Sequence, residues 1–321
     1  INPYISGTSP SNQSTGISTT ANIVITFSEA MNQTSLTYTI NPNPGNWSVS
    51  WNSGSTIATF GHSQFTENTD YTFKITSAKD LTGNDLAGGT FVLDFRTGDF
   101  TSPQIVSATP TNDTTDVNVN QNLVVTFSEA MNVSSLQYSI TPNPGGLNVS
   151  WNSANTALTI SHTVFSSSTA YTVQITSIKD GYGNELTSSS VPNPWSFTSA
   201  DIIDPTVSSS SPTNGSTGVS LNTQIVITFS EEITPSNFTY TVSPSLGNQS
   251  VSWNSEHTKV TISHANFASS TSYTVQVTGA KDTAGNQLAS GSVPNPWSFT
   301  AADVINPYIS GTSPSNQSTG I

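Results

Sequence analysis

The sequence predicts an all-β chain of tandem β-sandwiches with about seven strands each. Three observations carry that expectation. The chain repeats itself with a period near 100 residues. Apolar residues alternate in the two-residue period of half-buried strands, and no stretch shows a helical period. Clusters of Pro, Gly, Asn and Ser separate the alternating stretches, as turn chemistry requires.

The repeat is visible residue by residue. Thr26-Phe27-Ser28-Glu29-Ala30-Met31 returns at 126–131 and, altered, as Thr228-Phe229-Ser230-Glu231-Glu232-Ile233. Ser50-Trp51-Asn52 recurs at Ser150-Trp151-Asn152 and Ser252-Trp253-Asn254, and Tyr71-Thr72 at Tyr171-Thr172 and Tyr273-Thr274. Lys79-Asp80, Lys179-Asp180 and Lys281-Asp282 are each followed by a Gly-Asn pair. Pro3, Pro103, Pro205 and Pro307 mark four starts, 100, 102 and 102 residues apart. The expected domains are 1–100, 101–203 and 204–304, with the first strand segment of a fourth repeat at 305–321. That last segment is identical to residues 1–17 although the three units have diverged. It reads as one period of a longer array plus an overlap. The alternative is a donor strand that enters a neighbouring subunit.

In chain order, the first unit should place a strand at Pro3-Tyr4-Ile5 and others at 22–27, 36–40, 47–51, 56–60, 71–75 and 91–95. Seven short strands with turns every 8–12 residues indicate an immunoglobulin-like (Ig-like) sandwich. There is no cysteine, so the core must hold by packing. Trp51, Trp151 and Trp253 are expected to fill its centre. A unit of this size buries about 60–70% of its unfolded surface, enough for an independent core.

Composition narrows the function. Six Lys+Arg stand against 19 Asp+Glu, a net charge of -13, and only 8% of the 321 residues are charged. An ordinary domain has about 25%. The 55 Ser, 49 Thr and 31 Asn keep the surface wet instead. Six scattered cations cannot replace phosphate counterions, which excludes a nucleic-acid binder. No apolar run reaches the ~20 residues of a membrane helix.

At TFSEAM, SWN, the Tyr-Thr strand and the Lys-Asp-x-x-Gly-Asn element, the units resemble the bacterial and archaeal Ig-like domains of surface-layer proteins and large adhesins. The resemblance covers all three units. It implies a secreted, tandem-repeat surface protein with a spacer, fibre or wall role, and calcium at domain junctions in some relatives. The third unit departs from it at Glu232-Ile233. The first departs at 91–96, where the others carry Pro-Asn-Pro-Trp-Ser-Phe.

No catalytic residues are expected. His62, His162 and His264 occupy one equivalent site per unit, in His-x-x-Phe turns without a neighbouring Cys or carboxylate group, and no nucleophile elbow, Walker loop or His-Glu-x-x-His motif occurs. Calcium is the one possible cofactor. Its candidate ligands are the recurring carboxylates Glu29, Glu129 and Glu231; Asp80, Asp180 and Asp282; and Asp99, Asp201 and Asp303 before each new start, with Asp204 beside them. Calcium takes six to eight oxygen ligands, which an acidic junction rich in Asn and Ser could supply. The competing reading is local: Asp80 caps a turn and Glu29 is a solvated strand-end residue.

Sequons for N-glycosylation occur at Asn12, Asn32, Asn46, Asn112, Asn132, Asn148, Asn214, Asn237, Asn248 and Asn316. This composition gives roughly that number by chance, so position matters more than count. An internal Lys-Asn isopeptide at Lys79, Lys179 or Lys281 is a minor alternative. So is sugar stacking on Trp195 and Trp297.

The expectation is therefore an extracellular, non-enzymatic rod. It would form a filament, sheath or surface layer with copies of itself, through donor-strand or edge-strand contacts. The alternative is the stalk of an adhesin whose binding domain lies elsewhere.

Overall fold

A computed structural model describes residues 1–313. It contains three β-sandwiches in a row. In the first, β1 (Ile5–Ser9), β3 (Ile23–Phe27), β6 (Ile57–Gly61) and β5 (Ser48–Trp51) form one sheet in that order. The facing sheet runs β2 (Ser14–Ile17), β8 (Phe91–Thr97), β7 (Asp70–Asp80), β4 (Met31–Asn41). All neighbours are antiparallel except β2 and β8.

The second domain repeats this plan. One sheet is β9 (Ile105–Thr109), β11 (Leu123–Phe127), β14 (Ala157–Ser161), β13 (Asn148–Trp151). The other is β10 (Thr114–Val117), β16 (Trp195–Ser199), β15 (Ala170–Ser177), β12 (Gln137–Thr141). The third has β17 (Val207–Ser211), β18 (Ile225–Phe229), β21 (Lys259–Ser263), β20 (Ser250–Trp253), facing β19 (Thr239–Ser243), β22 (Ser272–Gly279), β23 (Trp297–Thr300). This is the two-sheet arrangement expected of an Ig-like sandwich.

Two domains thus have eight strands where seven were expected. The extra one is a four-residue parallel strand with a single apolar residue, Ser-Thr-Gly-Ile in β2 and Thr-Thr-Asp-Val in β10. Too little alternates in it to be read from sequence. In the third domain it shrinks to a single bridge, Val219 with Ala301. Residues 305–313 are outside any strand. The remainder of the 305–321 segment, with Asn316, lies outside the described residues.

Each domain closes its own hydrophobic core. Alternation explains why: Ile23, Ile25 and Phe27 point inward from β3, and Leu123, Val125 and Phe127 from β11. Trp51, Trp151 and Trp253 are half-buried, so they are not the central fillers. They sit on edge strands, stacked on Phe27, Phe127 and Phe229 at 5.7, 5.7 and 6.0 Å. The fully buried indoles are Trp195 and Trp297, each 1% exposed. The first domain has Leu93 in their place, and the register shows what fills the space. Phe60 and Phe73 of the first domain correspond to Ile160 and Val173 of the second and to Ile262 and Val275 of the third. A large residue on the last strand goes with small ones opposite, and the reverse, which conserves core volume.

The recurring Tyr-Thr element also has a physical role. The Tyr71, Tyr171 and Tyr273 hydroxyls each accept a backbone N–H five residues upstream, from Thr66, Ser166 and Ala268, at 2.9 Å. Such a tyrosine corner pins the loop entering the strand. No helix among the described residues is long and apolar enough to cross a membrane.

Candidate metal centre at the domain junctions

The Lys-Asp-x-x-Gly-Asn element builds the pole of each domain that meets the incoming linker. Asp180 lies in the turn after β15 and is buried. Its Oδ1 accepts the N–H groups of Tyr182 and Asn184 at 2.8 Å, and its Oδ2 accepts the Asn184 Nδ2 at 2.7 Å. Asp282 repeats this with Gly285, Asn286 and the Asn286 side chain. Asp80 does so with Thr82 and Asn84. The turn closes because Gly83, Gly183 and Gly285 take φ of +94°, +97° and +98°, where a β-carbon is strained. The same asparagine then holds the linker: Asn184 Nδ2 donates to the Asp99 carbonyl at 3.2 Å, and Asn286 Nδ2 to the Asp201 carbonyl at 3.3 Å.

That tie brings carboxylates from two consecutive domains together. Asp99 arrives on the linker, Glu129 follows β11, and Asp180 follows β15. One carboxylate oxygen from each lies within 4.8 Å of the others. Asp201, Glu231 and Asp282 form the equivalent group at the next junction. Among the described residues these are the two such groups. Glu29 and Asp80 join no third carboxylate there. The Asp303 Oδ1 accepts the Ser269 hydroxyl at 3.2 Å and the Ile305 N–H at 3.0 Å.

The repulsion within each group registers on its glutamate. Burial, then the charges of Asp99, Asp180 and Glu67, push the Glu129 carboxyl above its usual 4.5. Burial, then Asp201, Asp282 and Asp204, do the same to Glu231. At Asp80 burial opposes ionisation, but the donors from Asn84 and Thr82 outweigh it and hold the carboxyl at about 2. The donor set is all oxygen, the chemistry of a hard cation such as calcium.

The other candidates resolve into local structure. His62 stacks on Phe65 at 3.7 Å, with its ring nitrogens 2.6 and 2.9 Å from the carbonyl oxygens of Ser63 and Ala21. His162 and His264 likewise lie against Phe165 and Phe267. Lys79 and Lys179 form exposed ion pairs with Asp85 and Glu185 at 2.7 and 2.9 Å, which removes the buried geometry an isopeptide needs. Burial of Trp195 and Trp297 overturns the sugar-stacking reading. Their Pro-Asn-Pro-Trp motif has another role. The Asn193 side chain both accepts from the Ile175 N–H and donates to the Ile175 carbonyl, at 2.9 and 2.8 Å. Asn295 does the same with Val277. The side-chain amide stands in for a strand residue where proline cannot donate.

All nine described sequon asparagines are exposed. Asn12, Asn112 and Asn214 accept the N–H of Asp94, Ser196 and Ser298 through Oδ1. The Oδ1 atoms of Asn32 and Asn132 accept both the N–H and the hydroxyl of the third sequon residue, Thr34 or Ser134. These bonds give Asn32 and Asn132 a turn-forming role, and anchor Asn12, Asn112 and Asn214 on the last strand of their domain.

The family model described as bacterial Ig-like domain matches residues 1–97, 99–199 and 201–301. No curated protein sequence shows significant similarity. Among solved structures, an I-band fragment of titin is similar with a TM-score of 0.52 and 10% identity, covering 95% of this chain and 99% of that one. A protocadherin gamma cis-dimer structure reaches 0.49 at 15% identity, covering 92% and 73%. The surface layer protein SbsC, domains 1–6, reaches 0.25 at 12% identity, covering 97% and 55%. The titin likeness speaks to the fold alone.

Proposed function

The chain belongs to the bacterial Ig-like domain family, and we propose on that premise that it is a structural component of a cell exterior, a filament, sheath or surface layer built by repeated contacts between copies of itself. One observation carries this reading. In every domain the edge strand β5, β13 or β20 pairs with its inner neighbour in unbroken register. The edges β1, β4, β9, β12, β17 and β19 all carry register shifts, and β23, which is unbroken, is flanked by the Val219–Ala301 bridge. Shifts, lysines and prolines are the devices that keep an edge from pairing with another chain. The strands Ser48-Val49-Ser50-Trp51, Asn148-Val149-Ser150-Trp151 and Ser250-Val251-Ser252-Trp253 have none of them. They recur once per domain, so two copies can match at several points, and with so few charges little must be desolvated.

The test is assembly of the triple variant Val49→Lys, Val149→Lys, Val251→Lys. Like charges facing across a strand pair oppose it, so electron microscopy and light scattering are expected to show fibres or sheets for the parent and monomers for the variant. Equal assembly of both, or a parent that stays monomeric, removes the reading.

Calcium at a junction would be held by Asp99, Glu129 and Asp180, or by Asp201, Glu231 and Asp282. It would neutralise their mutual repulsion and fix one domain on the next. The exposed sequon asparagines outside the pairing edge strands would carry N-glycans facing solvent. Glycopeptide mass spectrometry of native material is expected to find sugar on Asn32 and Asn132, whose Nδ2 has no partner among the described residues. Unmodified asparagine at all nine described sites would remove glycosylation from this account.

A further inference from the structure

The two junctions follow one plan but are tied unequally. Both have the loop asparagine on the linker carbonyl. The first has a further bond between domains: the Tyr182 hydroxyl, on the turn after β15, donates to the Asn68 Oδ1 at 2.5 Å. Asn68 is itself held in place. Arg96 Nη2 donates to its Oδ1 at 2.8 Å and to its carbonyl at 3.1 Å, and Arg96 Nη1 donates to the Asp70 Oδ2 at 2.6 Å. Asp70 and Arg96 face each other across β7 and β8, so the domain 1 side of the clasp is braced by the sheet.

Register identifies the equivalent positions at the second junction. Asp70 and Arg96 correspond to Ala170 and Thr198, which face each other across β15 and β16. Asn68 corresponds to Ser168, since both turn residues take positive φ and donate to the carbonyl that follows the last strand, of Gly98 and Ala200. Tyr182 corresponds to Ala284, in the turn after β22. A methyl group cannot donate, and neither Ala170 nor Thr198 can form the ion pair. Each domain has a separate core, and small polar contacts between domains leave relative motion as the default.

We propose that the junction between domains 1 and 2 is clasped by Tyr182 on Asn68 and Arg96, and that the junction between domains 2 and 3 is the hinge. The three-domain unit then moves as a rigid pair followed by a swinging domain. The inference is independent of assembly and of any cation.

The chain lacks cysteine, so introduced pairs can be spin-labelled cleanly. Ser53, Ser153 and Ser255 are exposed and equivalent. Pulsed electron paramagnetic resonance on the full chain, in EDTA, compares the Ser53→Cys/Ser153→Cys and Ser153→Cys/Ser255→Cys pairs. The second distance distribution is expected to be broader than the first. Tyr182→Phe, which removes only the hydroxyl, and Asn68→Ala should each broaden the first distribution to match the second and leave the second unchanged. Equal widths in the parent, or a first distribution that neither substitution changes, overturn the proposal. Exposure of Tyr182 keeps its substitution from threatening the fold.

Discussion

Trp195→Ala is expected to unfold the second domain selectively, while the first and third keep their transitions. Trp195 is among the largest fully buried side chains and closes the core opposite Val173. Truncating a buried aromatic costs about 3–5 kcal/mol, because the transfer term and the cavity term add. A small domain has about 5–15 kcal/mol in total, so a marginal one loses most of its stability. The cores are separate, so the loss stays local. Calorimetry should show one transition moving far down in temperature and two that stay.

The conservative variants add a finer test. Trp297 Nε1 donates to the buried Pro212 carbonyl at 3.1 Å, whereas Trp195 Nε1 has no partner among the described residues. Trp297→Phe therefore strands a buried acceptor and should cost about 1 kcal/mol more than Trp195→Phe. A transition for the second domain that does not move in Trp195→Ala would mean that this core relaxes around the loss.

What the sequence made legible follows from what is local. The repeat and the alternation of Ile23, Ile25 and Phe27 are carried by neighbouring residues, so sandwich and strand positions could be read directly. Trp51, Trp151 and Trp253 were expected at the centre of the core and lie half-buried, because burial depends on where a strand lies in its sheet. Trp51 is on an edge and Trp195 is between two strands, and nothing near either residue says so. The junction shows the same limit. Asp99, Glu129 and Asp180 were each named as ligand candidates, but the grouping crosses a domain boundary. It depends on β11 and β15 ending at the pole where the linker enters. The tie from Asn184 to the linker was missed, although the Asn recurs in every unit; the signal was an amide at fixed spacing from a buried aspartate.

Those groupings make a prediction whose sign depends on the solution. In EDTA, Glu129→Gln and Glu231→Gln should raise the melting temperatures of the second and third domains. In the folded state each glutamate is pushed above its usual 4.5, so the native state binds the proton more tightly than the unfolded state. Stability then falls as pH rises through that raised value and is restored as pH drops below 4.5. A neutral amide removes the repulsion at every pH. Asp80 works in the opposite direction: held at about 2 against 3.8 when free, it stabilises above 3.8 and is lost as pH falls towards 2. In EDTA, acidification from neutrality should therefore first stabilise the second and third domains, and further acidification should destabilise the first.

With calcium in place of EDTA the order reverses for the parent. A ligand at a hundred times its dissociation constant adds about 2.7 kcal/mol, on the order of 10 °C for a domain of this size. The second and third domains should gain this and the Gln variants should lose most of it, since one of three charged ligands is gone. The first domain is the internal control, because Glu29 and Asp80 meet no third carboxylate among the described residues. If all three domains rise together with calcium, the ion acts on general surface charge and the junction groups are not its site. If none rises, the groups are only repulsive, and the junctions are held by the asparagine ties alone.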